Sequence, residues 1–132
     1  MARPPHPIIL VVEDQPEVRR FVVGELRVPG YEVIEAQGGL EGMAAVLSSQ
    51  SEIPLAIVDL VMPGVSGLDF ANQLQVDRPK TKILYTSGFR NSVAVETIRQ
   101  RAPSMMLDKP FTAGQLLGHV RELLGVDARP PS

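Results

Sequence analysis

The sequence contains no cysteine, and this absence excludes two classes of structure. Neither a disulfide framework nor a thiolate metal site can form without that residue. The absence also fits a reducing compartment. A chain of 132 residues buries about two-thirds of the surface that it exposes when unfolded, so it needs no cross-link to fold. Its length predicts one domain.

Three further absences limit the functions and locations that this protein can have. Acidic and basic residues are mixed, the formal net charge is −2 and no basic run occurs, so direct nucleic-acid binding has no electrostatic support. No apolar stretch reaches the roughly 18 residues that a membrane span requires. Residues 1–7 include one arginine and three prolines but no apolar region, which argues against a signal peptide. We therefore expect a cytoplasmic protein without membrane insertion.

Both ends of the chain are rich in proline and in small or polar residues. Such segments resist packing, so we expect flexible tails over residues 1–7 and 126–132 and one folded domain over residues 8–125. Only about eight residues follow the last predicted helix. This leaves no room for a second domain, and predicts either a stand-alone protein or a piece of a larger one.

Five short apolar runs predict β-strands, over residues 8–12, 31–36, 55–58, 83–86 and 105–107. The run over 31–36 is interrupted by Glu32 and Glu35, a pattern typical of a half-exposed edge strand. The first and third runs are continuous and aliphatic, as in strands that are buried on both faces. The fourth run, although it includes Tyr85 and Thr86, indicates a buried strand in the same way.

Between these runs, apolar residues recur at the spacing of α-helices. The second predicted helix has an apolar face at i, i+3, i+4 and i+7, formed by Leu40, Met43, Ala44 and Leu47. The last has an apolar stripe of Leu116, Leu117, Val120, Leu123 and Leu124. Further helices are expected over Val18–Leu26, after Gly67 and after Arg90.

Five strands alternating with five helices predict an α/β fold, a doubly wound parallel sheet with helices on both faces. The flavodoxin-like strand order 2-1-3-4-5 places the 31–36 strand at an edge. In such sheets, ligands bind beyond the carboxyl ends of the strands. Five polar residues follow or end four neighbouring strands: Glu13, Asp14, Asp59, Ser87 and Lys109.

Converging carboxylates at Glu13, Asp14 and Asp59 would repel one another, so we expect a cation between them. All-oxygen ligands favour Mg²⁺, with Mn²⁺ as an alternative. An aspartate such as Asp59 is also a nucleophile toward phosphorus. Lys109 as a point charge and Ser87 as a hydroxyl donor would neutralise the phosphoryl group, and the backbone N–H groups after Asp59 are expected to be free to donate.

Four stretches resemble one family, the receiver domains of two-component signalling. They occupy residues 11–15, 59–64 (with Gly67), 86–88 and 108–111, reading VVEDQ, DLVMPG, TSG and DKPF. The resemblance covers residues 8–124, and it implies either a stand-alone receiver or a receiver from a larger protein, such as a hybrid kinase. It implies that Asp59 is the phosphoacceptor and that a histidine kinase or a histidine phosphotransfer protein is the donor.

The resemblance also implies individual roles. Glu13 and Asp14 would hold Mg²⁺ with Asp59 and the backbone carbonyl of Val61. Ser87 would be the switch hydroxyl, and Lys109 the residue that contacts the phosphate. The bond between Lys109 and Pro110 would be cis.

The chain departs from the family pattern in three places. Met106 stands where relatives often have a tyrosine or phenylalanine that acts as a switch, and a thioether cannot flip an aromatic ring. Val61 and Phe89 are apolar where many relatives are polar, which we expect to restrict water and slow phosphoaspartate hydrolysis. Asp108 is expected to have only a surface role.

The sequence thus predicts a phosphoprotein switch and not an enzyme that acts on other molecules, apart from self-catalysed phosphotransfer and slow dephosphorylation. Its output would pass to a protein partner through the face formed by the fourth helix, fifth strand and fifth helix. Receivers of this type can form homodimers through that face.

Three other functions remain open from the residues. A phosphatase with an aspartate nucleophile would need an additional acid or base where Val61 stands. A nucleotide or flavin binder would need a glycine-rich loop after the first strand, where Glu13 and Asp14 repel phosphate. A pseudo-receiver would bind partners without being phosphorylated.

Overall fold

The protein, analysed as a computed structural model, is described here over residues 6–88 and 93–125. This part contains one parallel sheet of five strands in the order 2-1-3-4-5, which confirms the predicted fold. The strands are β1 (Ile8–Val12), β2 (Glu32–Ala36), β3 (Leu55–Asp59), β4 (Lys82–Ser87) and β5 (Met106–Asp108). Of the two predicted tails, over residues 1–7 and 126–132, residues 1–5 and 126–132 lie outside the described residues.

The helices of the described part are α1 (Pro16–Arg27), α2 (Gly39–Ser48), α3 (Gly67–Asp77), α4 (Val93–Arg101) and α5 (Ala113–Leu124), with a 3₁₀ turn over Pro103–Met105 before β5. Local sequence sets where they begin. Pro16 occupies the first turn of α1, where a missing N–H costs nothing. Thr112 and Gln115 form a capping box at α5. No helix among the described residues is long and apolar enough to cross a membrane.

The core lies on both faces of the sheet. Along β1, Leu10 and Val12 pack with α2, α3 and α4, whereas Ile9 and Val11 pack with α1 and α5. This alternation explains why the run over residues 8–12 is apolar throughout. The strand β2 pairs only with β1 in the sheet, which confirms its predicted edge position.

The predicted apolar face of α2 is wrong in part. Leu40 and Leu47 are 79% and 75% exposed, and Ala44 is exposed as well. Of the four predicted residues, Met43 alone packs against the core. An apolar stripe at helical spacing was therefore assigned to the wrong side of this helix.

The side of α2 that faces the sheet is formed by its small residues, Gly39, Gly42 and Val46. A Cβ atom built on Gly42 would lie 2.8 Å from Cε1 of Phe70. The absence of a side chain therefore lets α2 approach α3 closely. Glycine is not counted among the apolar residues when a helical pattern is sought, so the pattern missed the buried side of α2.

Gly67 fixes the turn between β3 and α3. Its backbone N–H donates to the carbonyl oxygen of Leu60 at 3.2 Å. A Cβ atom at Gly67 would lie 2.0 Å from the carbonyl oxygen of Asp59 and 2.7 Å from Cα of Leu60. These are backbone atoms, which have no flexible end to move aside. Glycine is therefore required for this turn, which follows directly on Asp59.

We predict that Gly67→Ala lowers the free energy of unfolding by about 3 kcal/mol, because the backbone after β3 must shift to admit the methyl group. The control is Gly118→Ala in α5, where a Cβ meets nothing within 4 Å. That change should stabilise the protein by about 0.5–1 kcal/mol through helix propensity. Urea denaturation of both variants measures the two effects, and equal effects would contradict the packing argument.

Candidate functional site

The predicted site residues lie at the carboxyl ends of four strands, in or beside one cleft. Glu13 and Asp14 follow β1, Asp59 ends β3, Ser87 ends β4 and Lys109 follows β5. The cleft has a volume of about 450 Å³ and is lined by Asp14, Gln15, Asp59, Val61, Met62, Pro63, Gly88 and Lys109. The strand order thus brings together residues that are up to 96 positions apart, from Glu13 to Lys109.

Three carboxylates meet in this cleft. One oxygen each of Glu13, Asp14 and Asp59 lies within 4.8 Å of the other two. Glu13 and Asp59 are buried, and Oδ1 of Asp14 is buried without a hydrogen-bond partner. A buried carboxylate oxygen without a partner is costly unless a cation or water completes its contacts. This donor set of hard oxygens fits a divalent cation of the Mg²⁺ type.

Lys109 spans the acidic group. Its Nζ lies 2.8 Å from Oε1 of Glu13 and 3.4 Å from Oδ2 of Asp59. The third neighbour is Oε1 of Gln15, at 3.2 Å. The three donors of the ammonium group therefore have three acceptors. Gln15 was not among the predicted site residues, although its place directly after the acidic pair is a signal that sequence reasoning could have used.

The backbone of Glu13 is held from two sides. Its N–H donates to the carbonyl oxygen of Ala36 on β2 at 3.1 Å. Its carbonyl oxygen accepts from Nη1 of Arg19 at 2.8 Å, and Nε of Arg19 lies 3.6 Å from Oε1 of Glu35. These contacts fix the point from which the acidic pair leaves the sheet.

The backbone N–H groups after Asp59 were expected to be free to donate, but not all of them are. The N–H of Leu60 donates to the carbonyl oxygen of Thr86 at 2.9 Å, which extends the pairing of β3 and β4 by one residue. The N–H of Val61 donates to Oδ1 of Asp59 at 3.2 Å. The expectation is thus wrong for Leu60, because the sheet continues beyond the last apolar residue.

On the other side of the cleft, a backbone hydrogen bond connects the end of β4 to the residue after β5. Ser87 is buried, and its carbonyl oxygen accepts from the N–H of Lys109 at 2.9 Å. The bond between Lys109 and Pro110 is cis, as the resemblance implied. Met106 is buried beside Tyr85 in the strand pairing. Phe89 lies outside the described residues.

Asp108 does more than the expected surface role. Its side chain is about one-third exposed, and both carboxylate oxygens accept hydrogen bonds from Arg99 on α4. Sequence reasoning missed this pair because nothing local in the chain connects residues 99 and 108 before the helix is placed.

Burial, which has the largest effect, and the neighbouring Glu13, by a hydrogen bond and by charge, together raise the pKa of Asp59 from 3.8 to about 7. Lys109 and the N–H of Val61 oppose this rise. Ionised Asp59 is thus held at a cost in free energy, which a bound cation would reduce.

The chain matches the family model described as the response regulator receiver domain over residues 9–121. It is 31% identical over 116 residues to the sensor kinase CckA of Brucella abortus, covering 88% of this chain and 12% of that protein. It is 27% identical over 116 residues to the response regulator receiver protein CpdR of the same organism, covering 88% and 95%. The chain therefore spans a small part of one relative and nearly all of the other.

A solved structure of similar fold is the response regulator protein TrrA from Thermotoga maritima in complex with Mg²⁺-BeF. It shares 29% identity and a TM-score of 0.72, over 89% of this chain and 98% of that chain. The similarity thus extends over most of both chains.

Because the raised pKa of Asp59 reflects a carboxyl group that is protonated more readily in the folded state, stability without metal should fall as pH rises from about 4 to 7. We predict that Asp59→Asn removes this dependence. In EDTA, the variant should be more stable than wild type by on the order of 2 kcal/mol at pH 8 and equally stable near pH 4.5.

Thermal unfolding across pH measures this difference. The control is Glu52→Gln, an exposed carboxylate before β3, at the opposite end of the sheet. That variant should follow the wild-type curve. If the Asp59→Asn protein is no more stable than wild type at pH 8, ionised Asp59 does not lower the stability of the fold, which would contradict this prediction.

Proposed function

Since the chain belongs to the response regulator receiver domain family, we propose that it is a phosphorylation switch in which Asp59 accepts a phosphoryl group from a phosphohistidine. The observation that supports this most is the position of Lys109, whose ammonium group lies within 3.4 Å of Asp59 beside two further carboxylates. In the transfer, an oxygen of Asp59 forms a bond to phosphorus as the bond to the histidine nitrogen breaks. The nitrogen retains the electron pair.

Asp59 is suited to this role by its contacts. The N–H of Val61 and Nζ of Lys109 approach different carboxylate oxygens, so the group is held in one orientation. Preorganised donors of this kind stabilise charge that develops on a transferring phosphoryl group. We assign Lys109 and Ser87 the role of contacting the phosphoryl oxygens, from β5 and β4 respectively.

Glu13, Asp14 and Asp59 would hold Mg²⁺, with the backbone carbonyl of Val61 as a fourth protein ligand; Mn²⁺ is an alternative ion. The buried Oδ1 of Asp14, which has no hydrogen-bond partner, supports this assignment. Bound there, the ion would neutralise the carboxylates and the incoming phosphoryl oxygens.

The response would pass from Ser87 and Lys109 to the surface formed by α4, β5 and α5, with Met106 buried beneath it.

The proposed donor is a histidine kinase or a histidine phosphotransfer protein. The proposed output is contact with a protein partner or a second copy of the chain, and not with nucleic acid or a membrane. We assign the receiver domain to residues 8–125 and propose that it acts in the cytoplasm. We assign it no catalysis beyond its own phosphorylation and dephosphorylation.

We predict that acetyl phosphate with Mg²⁺ adds one phosphoryl group, about 80 Da, to the wild-type chain, and that Asp59→Asn gains none because the nucleophile is lost. Intact-mass spectrometry measures the adduct. Without Mg²⁺ the adduct should not accumulate, and Lys109→Ala should slow its formation by about tenfold or more.

The matched control is Asp77→Asn, which removes an exposed carboxylate at the end of α3. It should be phosphorylated like wild type. An adduct that persists in Asp59→Asn would place the acceptor elsewhere. No adduct in wild type, together with no response to beryllofluoride, would favour the pseudo-receiver.

A further inference from the structure

Arg99 of α4 and Asp108 of β5 are joined by two hydrogen bonds. Nη1 of Arg99 lies 2.9 Å from Oδ2 of Asp108, and Nη2 lies 2.8 Å from Oδ1. The side chains are 37% and 34% exposed, so solvent screens the pair only in part. Exposed single-contact ion pairs contribute little, but a planar guanidinium that meets both carboxylate oxygens also fixes the relative orientation of the two elements.

Asp108 is connected directly to the phosphoryl site. Its Cα is the register partner of Ser87 across β4 and β5. The next residue, Lys109, donates its backbone N–H to the carbonyl oxygen of Ser87 and extends its ammonium group toward Asp59. Ser87, Asp108 and Lys109 therefore form one hydrogen-bonded unit. A displacement of the backbone at Ser87 or Lys109 would therefore carry Asp108 with it.

The helix at the other end of this ion pair is lightly packed. Val95 is the one fully buried residue of α4 over Val93–Arg101, whereas each of the other four helices buries three or four. Ile98 adds a partly buried contact with the core. With so few apolar contacts, a paired arginine has a large share in setting where α4 lies against the sheet.

We propose that the Arg99–Asp108 ion pair transmits the state of the phosphoryl site to α4, with both residues acting as positioning residues. This rests on the proposed phosphorylation of Asp59. When a phosphoryl group draws Ser87 and Lys109 toward it, the carboxylate of Asp108 moves, and α4 follows because the two hydrogen bonds allow little independent motion. Without the pair, the site fills normally but α4 responds less.

The test uses beryllofluoride with Mg²⁺ as the phosphoryl mimic. The ¹⁹F signal of the bound mimic reports occupancy of the site, and amide chemical shifts of residues 93–101 report the response of α4. In Arg99→Gln and in Asp108→Asn, the mimic should bind but the shift changes of α4 should fall by about twofold or more relative to wild type. The double variant should show no further loss, since either single change already removes the pair.

The control is Arg101→Gln, which removes an exposed arginine of the same helix that makes no ion pair with the described residues. It should respond like wild type. A full response of α4 in Arg99→Gln, or an equal loss in Arg101→Gln, would overturn the proposal. Failure of the mimic to bind wild type would instead overturn the proposed function.

Discussion

Repulsion among three carboxylates in one partly buried cleft is the constraint on which this molecule depends. Glu13, Asp14 and Asp59 are brought together by the strand order, and without a counter-charge their ionised forms destabilise one another. Lys109 supplies one positive charge between Glu13 and Asp59. One lysine does not neutralise three carboxylates. We propose that the remaining negative charge gives the cleft its affinity for a divalent cation and, through that cation, for a phosphoryl group.

The surrounding fold holds these charges where they would not otherwise remain. Gly67 lets the chain turn directly against the carbonyl of Asp59, and Arg19 holds the main chain at Glu13. The core on both faces of the sheet supplies the stability that the acidic group lowers. Under the proposed coupling, a change of charge in the cleft would also act on the lightly packed helix α4, because Asp108, the residue before Lys109, is paired with Arg99.

Periodicity and topology rules predicted the sheet order, the edge strand and the strand ends at which the polar residues lie. These features follow from burial, which is visible in the sequence as unbroken apolar runs. The buried side of α2 was not predictable in this way, because it depends on the missing side chains of Gly39 and Gly42. Nor was the pairing of Arg99 with Asp108, which depends on how a helix is oriented against a strand.

The most direct test of this account is calorimetric titration of Mg²⁺ into wild type and Asp14→Asn. The acidic group should bind one ion, and removing one of its three carboxylates should weaken binding by about tenfold or more. Asp69→Asn, an exposed change on α3, serves as the reference. Equal affinity in Asp14→Asn and wild type, or no binding to either, would contradict the claim that these carboxylates form a cation site.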